Sequence, residues 1–246
     1  MRNFVKKTMV MLLCIAMTIG VVPPLPAGAD ILLAEKLPVE VVTAFERKNP
    51  IRGTMAGVFL TDLTEGGIIA SKNSTMLTSS SELTEWLLLL YALRNTDLNK
   101  EVTITKTMLD TAKKASYPVM AGLQEKDTIT LENLLKLFIM ARADDVRVAM
   151  VSAIAGSEQK AVTMMNQLVD RLELKDTVVV ASDGAYVSGQ HTNAYDLYVV
   201  FRELLTHELF AENYQKASLT VRLTKEDGST KTLRAKNSEQ IGRAHV

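Results

Sequence analysis

Hydrophobic positions over residues 84–94 run almost without a polar break, through Trp86, five leucines, Tyr91 and Ala92. A helix that is apolar on nearly every side must be surrounded by its own protein, so this stretch predicts a buried central helix. Upstream the rhythm changes to alternation. Residues 55–62 read as a strand, Glu65-Gly66-Gly67 as a tight turn and 68–71 as the returning strand, which together make a hairpin. Residues 38–49 predict a short helix ahead of it.

Beyond the central helix the pattern alternates between short extended pieces and helices. Residues 102–104 and 128–130 read as brief strands, with a helix over 106–114 between them. Thr130 is placed to cap a helix beginning near Leu131, with Asn133 in its first turn. Two more helices follow over 146–155 and 157–174, broken at Gly156. Residues 177–181 are β-branched and predict a strand. The next helix takes Thr192 or Asn193 as its cap and has His207 near its end. The last pattern is a hairpin turning at Asp227-Gly228. Strands and helices in this order predict an α+β fold.

The two ends add expectations of their own. Arg2, Lys6 and Lys7 precede an apolar run over residues 8–22, and Ala27-Gly28-Ala29 forms a small-x-small cleavage site before Asp30. Residues 1–29 therefore read as a signal peptide cleaved after Ala29, which places the mature chain outside the cytoplasm. The apolar run is shorter than the ~20 residues of a comfortable membrane span, which favours cleavage over a retained anchor. The one cysteine, Cys14, lies within this segment, and the mature chain then has no thiol chemistry. The final residues, 241–246 (IGRAHV), read as a translated sequencing adapter. That leaves residues 30–240 as one domain, incomplete at its C-terminus.

Formal charge over the whole chain is zero. Losing the three basic residues of 1–29 leaves 25 basic against 28 acidic, which gives no electrostatic footprint for nucleic acid. His191 and His207 are too few and too far apart to predict a metal site. The twelve methionines read as leader and core fillers rather than a metal store. Neither a metal nor a cofactor is expected.

Ser79, Ser80 and Ser81 stand at the head of the buried helix, where serine is a preferred N-cap. Asp183-Gly184 reads as a turn pair. One literal Ser-x-x-Lys occurs at Ser157 to Lys160, in front of a later helix.

Several stretches, taken in order, resemble the serine D-alanyl-D-alanine carboxypeptidases, the low-molecular-mass penicillin-binding proteins of peptidase family S11. They are LTEGGIIASKN, GLQEKDTITLENLL, AIAGSEQKAVTMMNQLVDRLELKDT, SDGAYVSGQHTNAYDL and LRAKNSEQ. The resemblance implies the penicillin-binding-protein/β-lactamase-like fold: an antiparallel sheet flanked by helices plus a mostly helical lobe, with the cleft between them. It also implies a serine that attacks the terminal D-Ala–D-Ala amide of a peptidoglycan stem peptide, and that β-lactams acylate.

Three sets of groups carry that chemistry in the family, and this chain departs from them. The first is Ser-x-x-Lys, whose lysine takes the serine proton. With the nucleophile slot at Ser79, Ser80 or Ser81, the lysine slot holds Glu82, Leu83 or Thr84. Glu82 or Glu85 could stand in as base, but an ordinary carboxylate near pKa ~4.3 serves an alcohol poorly. The second is Ser-x-Asn, for which Arg142-Ala143-Asp144 stands. Ionised Asp144 cannot donate as the asparagine amide does, and Arg142 reads as a solvated surface residue. The third, Lys-Thr-Gly, is not met before residue 246. By the resemblance, Asp183 and Gly184 support the floor of the site, and Ser157 to Lys160 falls where the catalytic motif does not belong. The expected reading is a secreted, catalytically degraded carboxypeptidase. A stem peptide is its expected ligand, and β-lactam binding is argued against. The rivals are an active enzyme with unusual residues, a β-lactamase-like hydrolase and a non-enzymatic envelope scaffold.

Overall fold

The computed structural model describes residues 10–13, 34–54, 56–79 and 81–237. Most of the expected leader, Met55, Ser80 and the expected adapter sequence lie outside the described residues. Within the apolar run at the N-terminus, Val10–Leu13 forms strand β1. Val39–Lys48 is helix α1, with Glu40 in its first turn and Arg47 and Lys48 in its last, as the helix dipole favours. Val58–Asp62 (β2) and Ile68–Lys72 (β3) form the predicted hairpin. Asp62 closes the turn by accepting the backbone N–H groups of Thr64 and Glu65. β2 pairs antiparallel with β3 on one edge and with β1 on the other, in the order β1-β2-β3.

Ser81–Asn95 is α2, the central helix. It starts three residues before the polar-free run begins, because its first turn faces a cleft while Leu83, Thr84, Trp86 to Leu90 and Ala92 are buried. Glu101–Thr103 (β4), Lys106–Ala112 (α3) and Thr128–Thr130 (β5) follow, and β4 pairs with β5 as two short antiparallel strands. Leu131–Ala141 (α4) is capped by the Thr130 hydroxyl, which accepts from the Asn133 N–H at 3.3 Å. Asp144–Ile154 (α5) and Glu158–Arg171 (α6) are separated at Gly156, as the pattern predicts.

The expected strand over 177–181 does not form. Only Val178 makes an isolated bridge, to His191, and Thr78 makes another to Thr192. The reason lies in the side chains that take up the backbone there. Asn166 accepts the Val179 N–H at 3.1 Å, and the Gln190 amide oxygen accepts from Val180 and Ala181. Side-chain acceptors thus replace a strand ladder.

Ala194–Leu205 is α7, and of its two candidate caps it is Asn193 that accepts the Asp196 N–H, at 2.7 Å. Burial pushes the Asp196 carboxyl up, against the opposing pull of the Thr177 hydroxyl that donates to it at 2.6 Å. His207 does not sit within a long helix but initiates a further one, Glu208–Tyr214 (α8). Ser218–Thr224 (β6) and Thr230–Lys236 (β7) form the C-terminal hairpin and extend the second sheet, in the order β4-β5-β6-β7. Trp86 packs against Phe201 at 4.9 Å between centroids, and Phe201 in turn meets Phe210 and Tyr214 edge-on, tying α2, α7 and α8 into one core. No helix among the described residues is long and apolar enough to cross a membrane.

Candidate active-site cleft

The first turn of α2 presents Glu82 and Glu85 on one face, three residues apart, while Leu83, Thr84 and Trp86 turn inward. Opposite them stands Arg142, the C-cap of α4. It adopts the left-handed conformation with φ of 48°, which is unfavourable for a residue with a Cβ. Arg142 Nη1 lies 3.2 Å from Glu85 Oε2 and 3.7 Å from Glu82 Oε1. Its side chain is only 17% exposed. Arg142 is therefore not the solvated surface arginine expected from sequence. It is clasped between two carboxylates of another element, and those contacts hold the strained cap in place. Behind the clasp, Trp86, Phe138, Phe210 and Tyr214 wall a crevice with room for little more than a water molecule.

The serines are nearby but differently engaged. Ser79 and Ser81 are exposed, and Ser80 lies outside the described residues. The Ser81 hydroxyl donates to Glu82 Oε2 at a long 3.4 Å. Among the described residues no ammonium lies within bonding reach of the Ser79 or Ser81 hydroxyls. Lys72 donates to the Gly53 carbonyl instead, and Lys160 is an exposed residue of α6. The literal Ser-x-x-Lys is a helix cap, because the Ser157 hydroxyl accepts the Lys160 backbone N–H at 3.3 Å. The pair of α2 side chains that faces Arg142 is Glu82 and Glu85. Sequence reasoning weighed both as substitute bases but did not foresee their pairing with Arg142, which depends on α2 meeting α4.

Asp144 and its neighbours build the opposite wall. Asp144 opens α5, and its carboxylate accepts the Val119 N–H at 2.9 Å while its own N–H donates to the Val119 carbonyl at 2.7 Å. It pins the loop after α3 rather than facing an open slot. Asp145, which sequence reasoning did not single out, is fully buried and accepts from the N–H groups of Ala121, Gly122 and Leu123. Arg147, one turn on, reaches Asp144 and Glu158 at 3.8 Å each and the Ser182 hydroxyl at 3.4 Å. Glu158 also accepts the Ser182 N–H at 3.0 Å, so α5, α6 and the 182–185 turn are tied together.

Asp183 and Gly184 form a turn that packs against Ser81 at the head of α2. Asp183 accepts the Ala185 N–H at 3.0 Å, the geometry of an Asx turn. Gly184 has φ of 74°, and a Cβ placed there would stand 3.1 Å from the Ser81 Cβ. The turn therefore touches the head of α2 through a glycine that no other residue replaces without strain. No group of three or more His, Cys, Asp or Glu able to hold a metal occurs among the described residues.

As chemistry, this arrangement is two ion-pair clusters, one around Arg142 and one around Arg147. It can fix the cleft and bind charge, and among the described residues no amine stands beside the Ser79 or Ser81 hydroxyl to take its proton.

The sequence profile described as D-alanyl-D-alanine carboxypeptidase, Peptidase S11, matches residues 46–242. D-alanyl-D-alanine carboxypeptidase DacD of Escherichia coli is 30% identical over 171 residues, which cover 65% of this chain and 43% of that protein. DacF of Bacillus subtilis is 27% identical over 148 residues, covering 58% and 37%. This chain thus spans less than half the length of these curated relatives. Among solved structures, the Streptomyces K15 DD-transpeptidase superposes with a TM-score of 0.68 at 20% identity, covering 76% of this chain and 75% of that one. A penicillin-binding protein homologue from Mycobacterium tuberculosis gives 0.64 at 20% identity, covering 77% and 68%. These likenesses carry the penicillin-binding-protein-like fold.

Proposed function

Since the chain belongs to the D-alanyl-D-alanine carboxypeptidase family, Peptidase S11, we propose that it is a catalytically degraded member. In this reading it works in peptidoglycan metabolism outside the cytoplasm and binds stem peptides in its cleft without hydrolysing them. The observation that carries this reading is the clasp: Glu82 and Glu85, on the first turn of α2 beside the expected nucleophile slot, are paired with Arg142. The reaction needs an alcohol beside a base whose pKa suits the transfer. Among the described residues, the hydrogen-bond partner of the Ser81 hydroxyl is Glu82, and a carboxylate with an ordinary pKa near ~4.3 is a weak base for an alcohol.

Electrostatics point the same way. The D-Ala–D-Ala substrates of this family carry a terminal carboxylate into the cleft. Two unit charges of the same sign at 4 Å repel by about 4 kcal/mol at an effective dielectric of 20. Glu82 and Glu85 therefore work against the docking of such a carboxylate and of β-lactams, which also carry one. Export rests on the basic start, apolar run and small-x-small site of residues 1–29.

One contact favours the rival reading of an active enzyme with Glu82 as base: the 3.4 Å approach of the Ser81 hydroxyl to Glu82. The contact is long and exposed, and Arg142 competes for the same carboxylate. Two assays decide between them. Fluorescent penicillin should leave no covalent band, and a D-Ala–D-Ala pentapeptide should release no D-alanine. A band abolished by mutating Ser79, Ser80 and Ser81 together would sink the degraded reading.

A further inference from the structure

We propose that the outer face of the β6–β7 hairpin is a docking strip for a linear phosphodiester polymer. Alternation along the two strands sorts their side chains. Val221, Leu223, Leu233 and Ala235 are buried, while Thr220, Arg222, Thr232, Arg234 and Lys236 are exposed on the opposite face. The register sets each cation of that face directly across from a hydroxyl. Arg222 faces Thr232, Arg234 faces Thr220 and Lys236 faces Ser218. Arg234 Nη2 also donates to the Ser218 hydroxyl, one pair along, at 3.4 Å. Lys236 follows Arg234 by two residues, about 7 Å on an extended strand. Arg222 is the diagonal cross-strand neighbour of Arg234, at about 7–8 Å. The face is thus a row of three cation–hydroxyl pairs at near-even spacing.

No acid of the hairpin neutralises this row. The two strands, SLTVRLT and TKTLRAK, contain none. Glu226 and Asp227 lie in the turn and are paired with Lys126 and Lys225. Lys231, the other cation of the strands, is taken by Asp127. Glu101 is exposed on β4, two strands away from β6. Among the described residues no ion pair engages Arg222, Arg234 or Lys236, in contrast to Arg94, Arg142, Arg147 and Arg202. A lysine on an edge strand guards against pairing between sheets, but Arg222 stands on β6, between β5 and β7, where there is no edge to guard.

The chemistry of the row selects the occupant. A guanidinium fork and a hydroxyl bring three donors to one anion. Donors from several directions suit the tetrahedral oxygens of a phosphate better than a planar carboxylate, and arginine, lysine and threonine are its ordinary partners. A repeated pair calls for an anion that also repeats, which is a polymer. Among the described residues of this face no large apolar side chain is exposed, so it has nothing to insert into a bilayer. The strip also lies apart from the cleft. Asn133, in the first turn of α4, donates to the Arg222 carbonyl, whereas Arg142 closes the other end of that helix. This inference therefore stands independently of the peptide-binding reading.

Fluorescence anisotropy of labelled poly(glycerol phosphate) with the full chain tests this. The polymer should bind, and the logarithm of its affinity should fall with the logarithm of salt at a slope of about −2, the value for three phosphates on a flexible strand. Arg222→Gln with Arg234→Gln and Lys236→Gln should weaken binding about tenfold or more. Melting followed by circular dichroism should be unchanged in that variant, because all three side chains are exposed. Lys160→Gln with Arg171→Gln and Lys175→Gln removes the same charge from exposed positions on α6 and the turn after it, and should leave binding as it was. Equal weakening by the two triple variants would mean general charge attraction and overturn the strip. Tighter binding of polygalacturonate, of phosphatidylglycerol vesicles or of oligothymidylate than of the polymer would overturn the ligand class. If poly(glycerol phosphate) does not bind, the proposal is wrong, while the reading of the cleft is unaffected.

Discussion

Arg142 at the end of α4 stands 3.2 Å from Glu85 on the first turn of α2, joining the helical lobe to the central helix. Both side chains are mostly buried, at 17% and 15% exposure. Removing one partner of such a pair strands the other charge. Arg142→Ala should therefore destabilise the fold by about 2–3 kcal/mol, read as a lower urea midpoint. Arg142→Gln with Glu85→Gln should recover part of that loss. Equal loss in the single and double variants would show that the pair is not coupled.

Gly184 should not tolerate a side chain. Its φ of 74° and the 3.1 Å approach of a Cβ to Ser81 combine backbone strain with a clash. Gly184→Ala should cost about 2 kcal/mol, seen as a melting temperature several degrees lower. Gly228→Ala at the exposed hairpin turn is the control: φ is 78° there, but no atom stands within 4 Å. It should cost less.

Asp145 should matter more for stability than any acid of the clasp. Replacing it by alanine leaves the N–H groups of Ala121, Gly122 and Leu123 without their acceptor. The expected loss is about 3 kcal/mol or more. Limited proteolysis should then cut within residues 113–122, whereas Asp144→Asn should leave that loop less affected.

His207 supplies a pH dependence. Burial first, and the Arg94 guanidinium second, hold its imidazole below the usual 6.5. The unfolded chain therefore binds the proton more readily than the folded one. Stability from this group is complete above pH ~6.5 and falls as pH drops through the lowered folded value. Melting temperature should decline between pH 7 and 5, and His207→Gln should flatten that decline. An unchanged slope in the variant would assign the effect to another group.

β1 pairs with one edge of β2, and it lies within residues 1–29, which the proposed export removes. A chain beginning at Asp30 lacks it and leaves those backbone groups open to pairing between molecules. Light scattering should detect more association in that chain than in the full one. Equal association would mean that β1 does not protect the edge.

Much of the fold was legible locally. The Thr130 cap, the Asn193 cap, the break at Gly156 and the turn at Asp227-Gly228 all follow from one or two residues acting on their own backbone. The strand expected over 177–181 failed because β-branching speaks only to propensity. It cannot register that Asn166 and Gln190, distant or downstream in sequence, occupy the backbone donors. Helix α8 was missed because its seven residues are too few to show a period.

The candidate site divides along the same line. Sequence alone established that no lysine stands three residues after Ser79, Ser80 or Ser81, and that Arg142 and Asp144 stand where a serine and an asparagine are expected. Those are facts of identity and spacing, and folding does not alter them. Only the tertiary structure decided what these side chains touch, because α2 and α4 bring together Glu85 and Arg142, 57 positions apart in the chain. Whether an arginine is solvated or clasped depends on which carboxylates the packed helices bring to it, and no local pattern along the chain encodes that meeting.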